Sequence, residues 1–94
     1  MERYIKTLDK AISHYGAFNQ QLVCIEEMAE LQQILAKDMA RPKAEDDAHI
    51  AEEIADVQIM LWQMQRIFGL EEMVEDYIAL KVARLETRME VDGK

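Results

Sequence analysis

Two short stretches of this sequence are built alike, Glu26-Glu27-Met28-Ala29-Glu30 and Glu52-Glu53-Ile54-Ala55-Asp56. Each is an acidic pair with a further acid three residues on. In an α-helix, residues three apart sit about 60° from each other around the axis, so Glu27 with Glu30, and Glu53 with Asp56, each present a two-carboxylate face. Val23 and Ile34 lie to either side of the first pair on the same stripe, and Ile50, Val57, Met60 and Met64 bracket the second. All four acids therefore fall within apolar stripes. A carboxylate turned inward must be paired or neutralised, because desolvating a bare charge is expensive. Neither stripe has a basic residue close by to do so. A divalent cation held by oxygen ligands is the chemistry these residue types support.

A single Glu-x-x-Glu on a helix is ordinarily solvated surface. Two copies on successive helices, both inside apolar stripes, are a different matter. Helices that fold back antiparallel lie about 8–10 Å apart, close enough for four such side chains to converge on one or two ions. A di-iron carboxylate bundle would need Glu-x-x-His on two of its helices, whereas the third residue on is here Glu30 or Asp56. All-oxygen ligation points to Mg²⁺, with Mn²⁺ the alternative. His49, one turn before Glu53, is either an outer-sphere group or an exposed residue near a helix start. Cys24 has no second thiol, which predicts a small core residue and no internal disulfide. Lys81, Arg84 and Arg88 share one face and suit a polyphosphate tail.

The elements that must position these groups are all helical. Only three Gly and one Pro stand among 94 residues rich in Ala, Leu, Glu, Gln, Lys and Met, and strand-like alternation is absent. Tyr4, Ile5, Leu8, Ile12 and Tyr15 form the stripe of a first helix from Glu2, stopped by Gly16. Asn19 is placed to cap a second helix that carries Leu22, Ile25, Met28, Leu31 and Leu35 to about Met39. Arg41-Pro42-Lys43-Ala44-Glu45-Asp46 breaks the pattern. Asp46 or Asp47 then caps a third helix that runs to Phe68 before Gly69. A last helix from about Glu71 to about Glu90 puts Val74, Tyr77, Ile78, Leu85 and Met89 on one side, and the final four residues are expected to fray. The expected architecture is one domain over residues 1–94, an all-α four-helix bundle.

The third helix is apolar over an unusually wide arc, through Ile54, Ala55, Val57, Ile59, Met60, Leu61, Trp62 and Met64. A monomer of this size can hardly cover it. The surplus predicts a homo-oligomer, dimer or dimer of dimers, with Trp62 and Ile59 at or near the contact. The charge balance of 11 basic to 19 acidic residues, net −8, argues against a sequence-independent grip on DNA or RNA. No stretch reads as a signal peptide or a membrane span, so the expected setting is the cytoplasm, with no membrane partner.

With these residues in view, the chain resembles a known family. Glu26-Glu27-x-x-Glu30-Leu31 followed after a short loop by Glu52-Glu53-x-x-Asp56-Val57 is similar to the signature of the MazG-like, all-α nucleoside triphosphate pyrophosphohydrolases. The resemblance spans almost the whole chain, taking in His14-Tyr15-Gly16 with Asn19-Gln20 before the first motif and Lys81, Arg84 and Arg88 after the second. It implies that Glu27, Glu30, Glu53 and Asp56 hold Mg²⁺, and that a nucleoside triphosphate is cut between its α- and β-phosphates, giving a nucleoside monophosphate and pyrophosphate. Glu26 would then orient or deprotonate the attacking water, with Lys81, Arg84 and Arg88 on phosphate oxygens. Asn19 and Gln20 offer amides to read a base or sugar. The chain lacks the second domain of the long members and the extra helices of the dUTPase-like ones. The competing class is a catalytically inactive helical dimerisation module whose acids hold a structural ion.

Overall fold

The computed structural model describes residues 2–93. A single 3₁₀ turn, Glu2–Tyr4, leads into four α-helices: α1 (Ile5–Tyr15), α2 (Ala17–Ala40), α3 (Asp47–Phe68) and α4 (Glu71–Asp92). Among the described residues there is no strand, so the all-α expectation holds.

Local chemistry accounts for most of the boundaries. Gly16 sits at φ +90°, a conformation costly for an L side chain, and its N–H donates to the Ile12 carbonyl at 2.9 Å to close α1. The same residue also opens α2, which corrects the expectation that Asn19 would be the cap. Gly16 alone turns the chain, Ala17 and Phe18 become helical at once, and the Gln20 N–H donates to the Gly16 carbonyl at 3.1 Å. Asn19 therefore lies inside the first turn, where its Nδ2 donates to the Tyr15 carbonyl at 2.8 Å and satisfies an open acceptor at the end of α1. Asp46 caps α3, accepting from the His49 N–H at 2.7 Å. At the far end Gly69 takes the left-handed conformation, with its N–H on the Arg66 carbonyl and the Leu70 N–H on the Gln65 carbonyl, the paired bonds of a Schellman turn. α4 runs to Asp92 instead of fraying from Val91, and Lys94 lies outside the described residues.

α2 and α3 form an antiparallel hairpin, and α1 packs against both. The buried centre is small: Cys24, Ile34, Val57 and Met60, with Gln20 and Gln63 among them. Cys24 is thus the core residue expected, and burial pushes its thiol pKa up. Gln20 Nε2 donates to Gln63 Oε1 at 2.6 Å, so the two buried amides serve each other. On the outside, Arg66 grips Asp9 with a two-pronged bond, Nε to Oδ1 at 2.9 Å and Nη2 to Oδ2 at 2.8 Å, tying α1 to α3. The hydrogen bond from Arg66 holds the Asp9 carboxyl below its ordinary range. The same guanidinium lies 5.6 Å from the centre of the Trp62 ring.

The four helices are consistent with the expected all-α bundle, and the fourth is the least covered of them. Among the described residues α4 approaches only α3, and from Glu75 to its end every residue is exposed. Tyr77, Ile78, Leu85 and Met89, placed by periodicity on a packed side, remain about half exposed. The chain extends over 51 × 35 × 23 Å with a radius of gyration of 16.5 Å. A compact domain of this length would have a radius near 12 Å. Three helices are packed and the fourth projects. No described helix is long and apolar enough to cross a membrane.

Because each buried amide is the other's partner, replacing one strands the second. Gln63→Leu should lower stability in urea unfolding by about 1–3 kcal/mol. Adding Gln20→Leu should recover much of that loss. Additive losses would show that the amides do not act as a pair.

Candidate metal centre

The hairpin register that joins Gln20 to Gln63 also fixes the acids. Ten residues further along α2 and ten residues back along α3, Glu30 meets Glu53, with Glu27 one turn before Glu30 on the same face. One carboxylate oxygen from each of Glu27, Glu30 and Glu53 lies within 4.8 Å of the others. Two acids come from α2 and one from α3, so neither helix alone makes the cluster. The burial is graded. Glu53 is 9% exposed, Glu27 is half-buried and Glu30 is exposed, the last contrary to the inward placement read from its stripe. Glu30 lies at the open edge of the hairpin, where α4 does not cover it. Asp56 is half-buried and its charge bears on Glu27, but its carboxylate stays outside the group of three.

The electrostatics are those of a site short of positive charge. Glu27 has its pKa raised from 4.5 to about 7, first by desolvation and then by the charges of Glu30, Asp56 and Glu53. Its Oε2, and Oε2 of Glu53, are buried without a hydrogen-bond partner among the described residues. Buried carboxylate oxygens are ordinarily satisfied, and unsatisfied ones are expensive. Three carboxylates with two orphaned oxygens make a donor set that fits a hard divalent cation such as Mg²⁺ or Mn²⁺.

The other sequence-predicted residues lie elsewhere. Glu26 is exposed on α2, beside the cluster in sequence and outside the group of three. Asn19 is exposed with its amide on the Tyr15 carbonyl, and Gln20 is 6% exposed with its amide on Gln63. Lys81, Arg84 and Arg88 do share one side of α4, where with Leu85 they line a shallow hollow of about 260 Å³. The helix rises 1.5 Å per residue, so Lys81 stands about 15 Å beyond the start of α4. All three cations are exposed, and among the described residues none forms an ion pair with a carboxylate.

What does adjoin the carboxylates is a cavity of about 410 Å³ lined by Glu30, Gln33, Ile34, Lys37, Glu45, His49 and Glu53. Glu45, on the loop between α2 and α3, forms an ion pair with Lys37 Nζ at 3.5 Å and a hydrogen bond with His49 Nδ1 at 2.7 Å. That hydrogen bond raises the His49 pKa and lowers that of Glu45. The sequence reading missed Lys37 and Glu45. Lys37 carried a usable signal, since it falls seven residues after Glu30 and thus two turns on along the same face. Glu45 carried none, because a loop has no periodicity to read. Comparison with protein-family models, curated proteins and solved structures finds no match.

Between pH 4.5 and about 7 the folded chain holds a proton on Glu27 that the unfolded chain has released. The stabilisation from this group is therefore full below its ordinary pKa and is lost as pH rises through about 7. In chelator, wild type should lose stability over that rise, by about 1 kcal/mol after allowance for solvent access. Glu27→Gln should flatten the dependence and melt higher than wild type at pH 8. Thermal melts across pH check this, and equal slopes for both proteins would show that Glu27 is not the strained acid.

Proposed function

We propose that the protein is a Mg²⁺-dependent nucleoside triphosphate pyrophosphohydrolase of the MazG-like all-α type, acting as a homo-oligomer in nucleotide-pool house-cleaning. The observation that carries this reading is the convergence of Glu27, Glu30 and Glu53 around two buried, unpartnered carboxylate oxygens. With Asp56 alongside, these residues would hold the metal, and Mn²⁺ is chemically acceptable in the same set. A metal so held supplies positive charge against the triphosphate and lowers the pKa of an attacking water. Glu26 orients that water or takes its proton. Water adds to the α-phosphorus, the α–β anhydride bond breaks, and nucleoside monophosphate and pyrophosphate leave.

The projecting α4 gives the oligomer a role in the site. Lys81, Arg84 and Arg88 form no ion pair with the carboxylates of their own chain among the described residues, and the chain carries a net charge of −8. A second copy that covers the exposed apolar side of α4 would carry these cations to the acidic cluster of the first. The same contact would shelter Tyr77, Ile78, Leu85 and Met89. In this reading the contact centres on α4, where Trp62 and Ile59 of α3, already half-buried, contribute less. Asn19 and Gln20, engaged with Tyr15 and Gln63, keep no assigned part in reading the base.

Incubation with a panel of nucleoside triphosphates and Mg²⁺ should release pyrophosphate. Glu53→Gln should reduce release by roughly 10²-fold or more while helix content is kept. Release by wild type in excess chelator would overturn the assignment. A dimer that is silent across the whole panel would instead identify an interaction module with a structural ion.

Sedimentation at micromolar concentration should give a dimer or larger. Combining Glu53→Gln with the Lys81→Ala, Arg84→Ala, Arg88→Ala triple variant should restore about a quarter of wild-type activity, as expected if random exchange repairs one site in each mixed dimer. A monomer, or no recovery on mixing, would exclude a shared site.

A further inference from the structure

We propose that the cavity between the end of α2 and the start of α3 is an anion seat beside the metal position. In it, a phosphate of the substrate or of released pyrophosphate takes the place of the Glu45 carboxylate on Lys37 and His49. The inference rests on the assignment of Glu27, Glu30 and Glu53 as metal ligands and adds the direction in which the phosphate chain runs.

The cavity and the carboxylate cluster share two walls, Glu30 and Glu53. Any group bound to a metal at that cluster therefore has this space of about 410 Å³ open to it. A water occupies about 30 Å³ in the liquid, so the space admits a pyrophosphate group with its hydration. Glu53 reaches the boundary almost fully buried, with its Oε2 lacking a partner among the described residues.

An anion already occupies the far side. The Glu45 side chain is 15% exposed and lies between Lys37 Nζ and His49 Nδ1. Lys37 on α2 and His49 on α3 thus both turn toward the same carboxylate at the cavity wall. With Glu30 and Glu53 held on a divalent ion, Glu45 is the one carboxylate left facing Lys37 and His49, and an incoming anion competes with it alone for both partners.

Glu45 is also the member best able to leave. It lies on the connecting loop ahead of the Asp46 cap, outside both helices. Its partners are 67% and 46% exposed, so the present pairs are weak ones. A phosphate brings more charge and more acceptor oxygens to the same donors. The α4 cations would then meet the phosphate chain from the other copy, and Lys37 with His49 from within.

The test is calorimetric titration of the full chain with inorganic pyrophosphate in saturating Mg²⁺, alongside titration with Mg²⁺ alone. Lys37→Met and His49→Asn should each weaken pyrophosphate binding by about tenfold, the loss of one charge-assisted contact. Glu45→Gln, which keeps shape and removes the competing charge, should tighten it several-fold. All of these should bind Mg²⁺ like wild type, whereas Glu53→Gln should not. Lys37 and His49 are largely exposed, so both variants are expected to fold, and unchanged helical circular dichroism checks it.

Unchanged pyrophosphate affinity in Lys37→Met and His49→Asn, with Mg²⁺ binding intact, would overturn the seat and leave the metal centre standing. Weaker binding in Glu45→Gln would show that Glu45 organises the cavity instead of vacating it, which also overturns the proposal. Failure of wild type to bind Mg²⁺ would remove both readings together.

Discussion

The antiparallel register of α2 against α3 is the constraint on which everything else in this chain depends. Both helices carry a glutamine at a fully covered position, and an amide there must find a partner or forfeit stability. Gln20 and Gln63 satisfy each other in one alignment of the hairpin. Sliding a helix by one residue would turn its faces by about 100° and separate the two amides. The same alignment, carried ten residues inward, sets Glu30 against Glu53 and closes the carboxylate cluster. A specific buried polar bond thus fixes the position of a group of charges that would otherwise repel one another.

That arrangement places a destabilising feature inside a small protein. The packed centre amounts to a few apolar side chains around Cys24, Ile34, Val57 and Met60, and a domain of this size has only modest stability to draw on. Above a pH of about 7 the charge on Glu27, half-buried beside three other acids, works against folding. The proposed metal and the proposed second copy would both relieve it, one by supplying charge and the other by covering α4.

The ends of the hairpin divide the labour. At the Gln20–Gln63 end the paired amides are buried and α1 is fastened to α3 by the Asp9–Arg66 fork. At the other end the chain opens into the loop of residues 41–46, with Lys43 in the left-handed conformation and a cavity lined by charged groups. Polar side chains at that open end can exchange partners without disturbing the core, which is why the proposed binding chemistry is placed there. The acidic cluster lies between the two regimes, with Glu53 facing the covered side and Glu30 facing solvent.

Periodicity and capping chemistry alone determined the four helices, their order and most of their ends, although α1 starts at Ile5 after a 3₁₀ turn instead of at Glu2, α2 starts ahead of Asn19, and α4 runs past Glu90. Gly16, Asp46 and Gly69 act through local backbone and side-chain geometry that needs no distant partner. The doubled acidic pentad likewise announced three of the residues that meet, because spacing on a helix is a local property. Sequence did not disclose that Asn19 would serve the end of α1, that Gln20 would be spent on Gln63, or that Glu45 would bridge Lys37 and His49. Each of those outcomes depends on which groups from other segments arrive nearby. The apolar side of α4 illustrates the limit most plainly. A 3.6-residue repeat shows that a helix has a face to bury, and only the three-dimensional arrangement decides what, within the chain or beyond it, is there to cover that face.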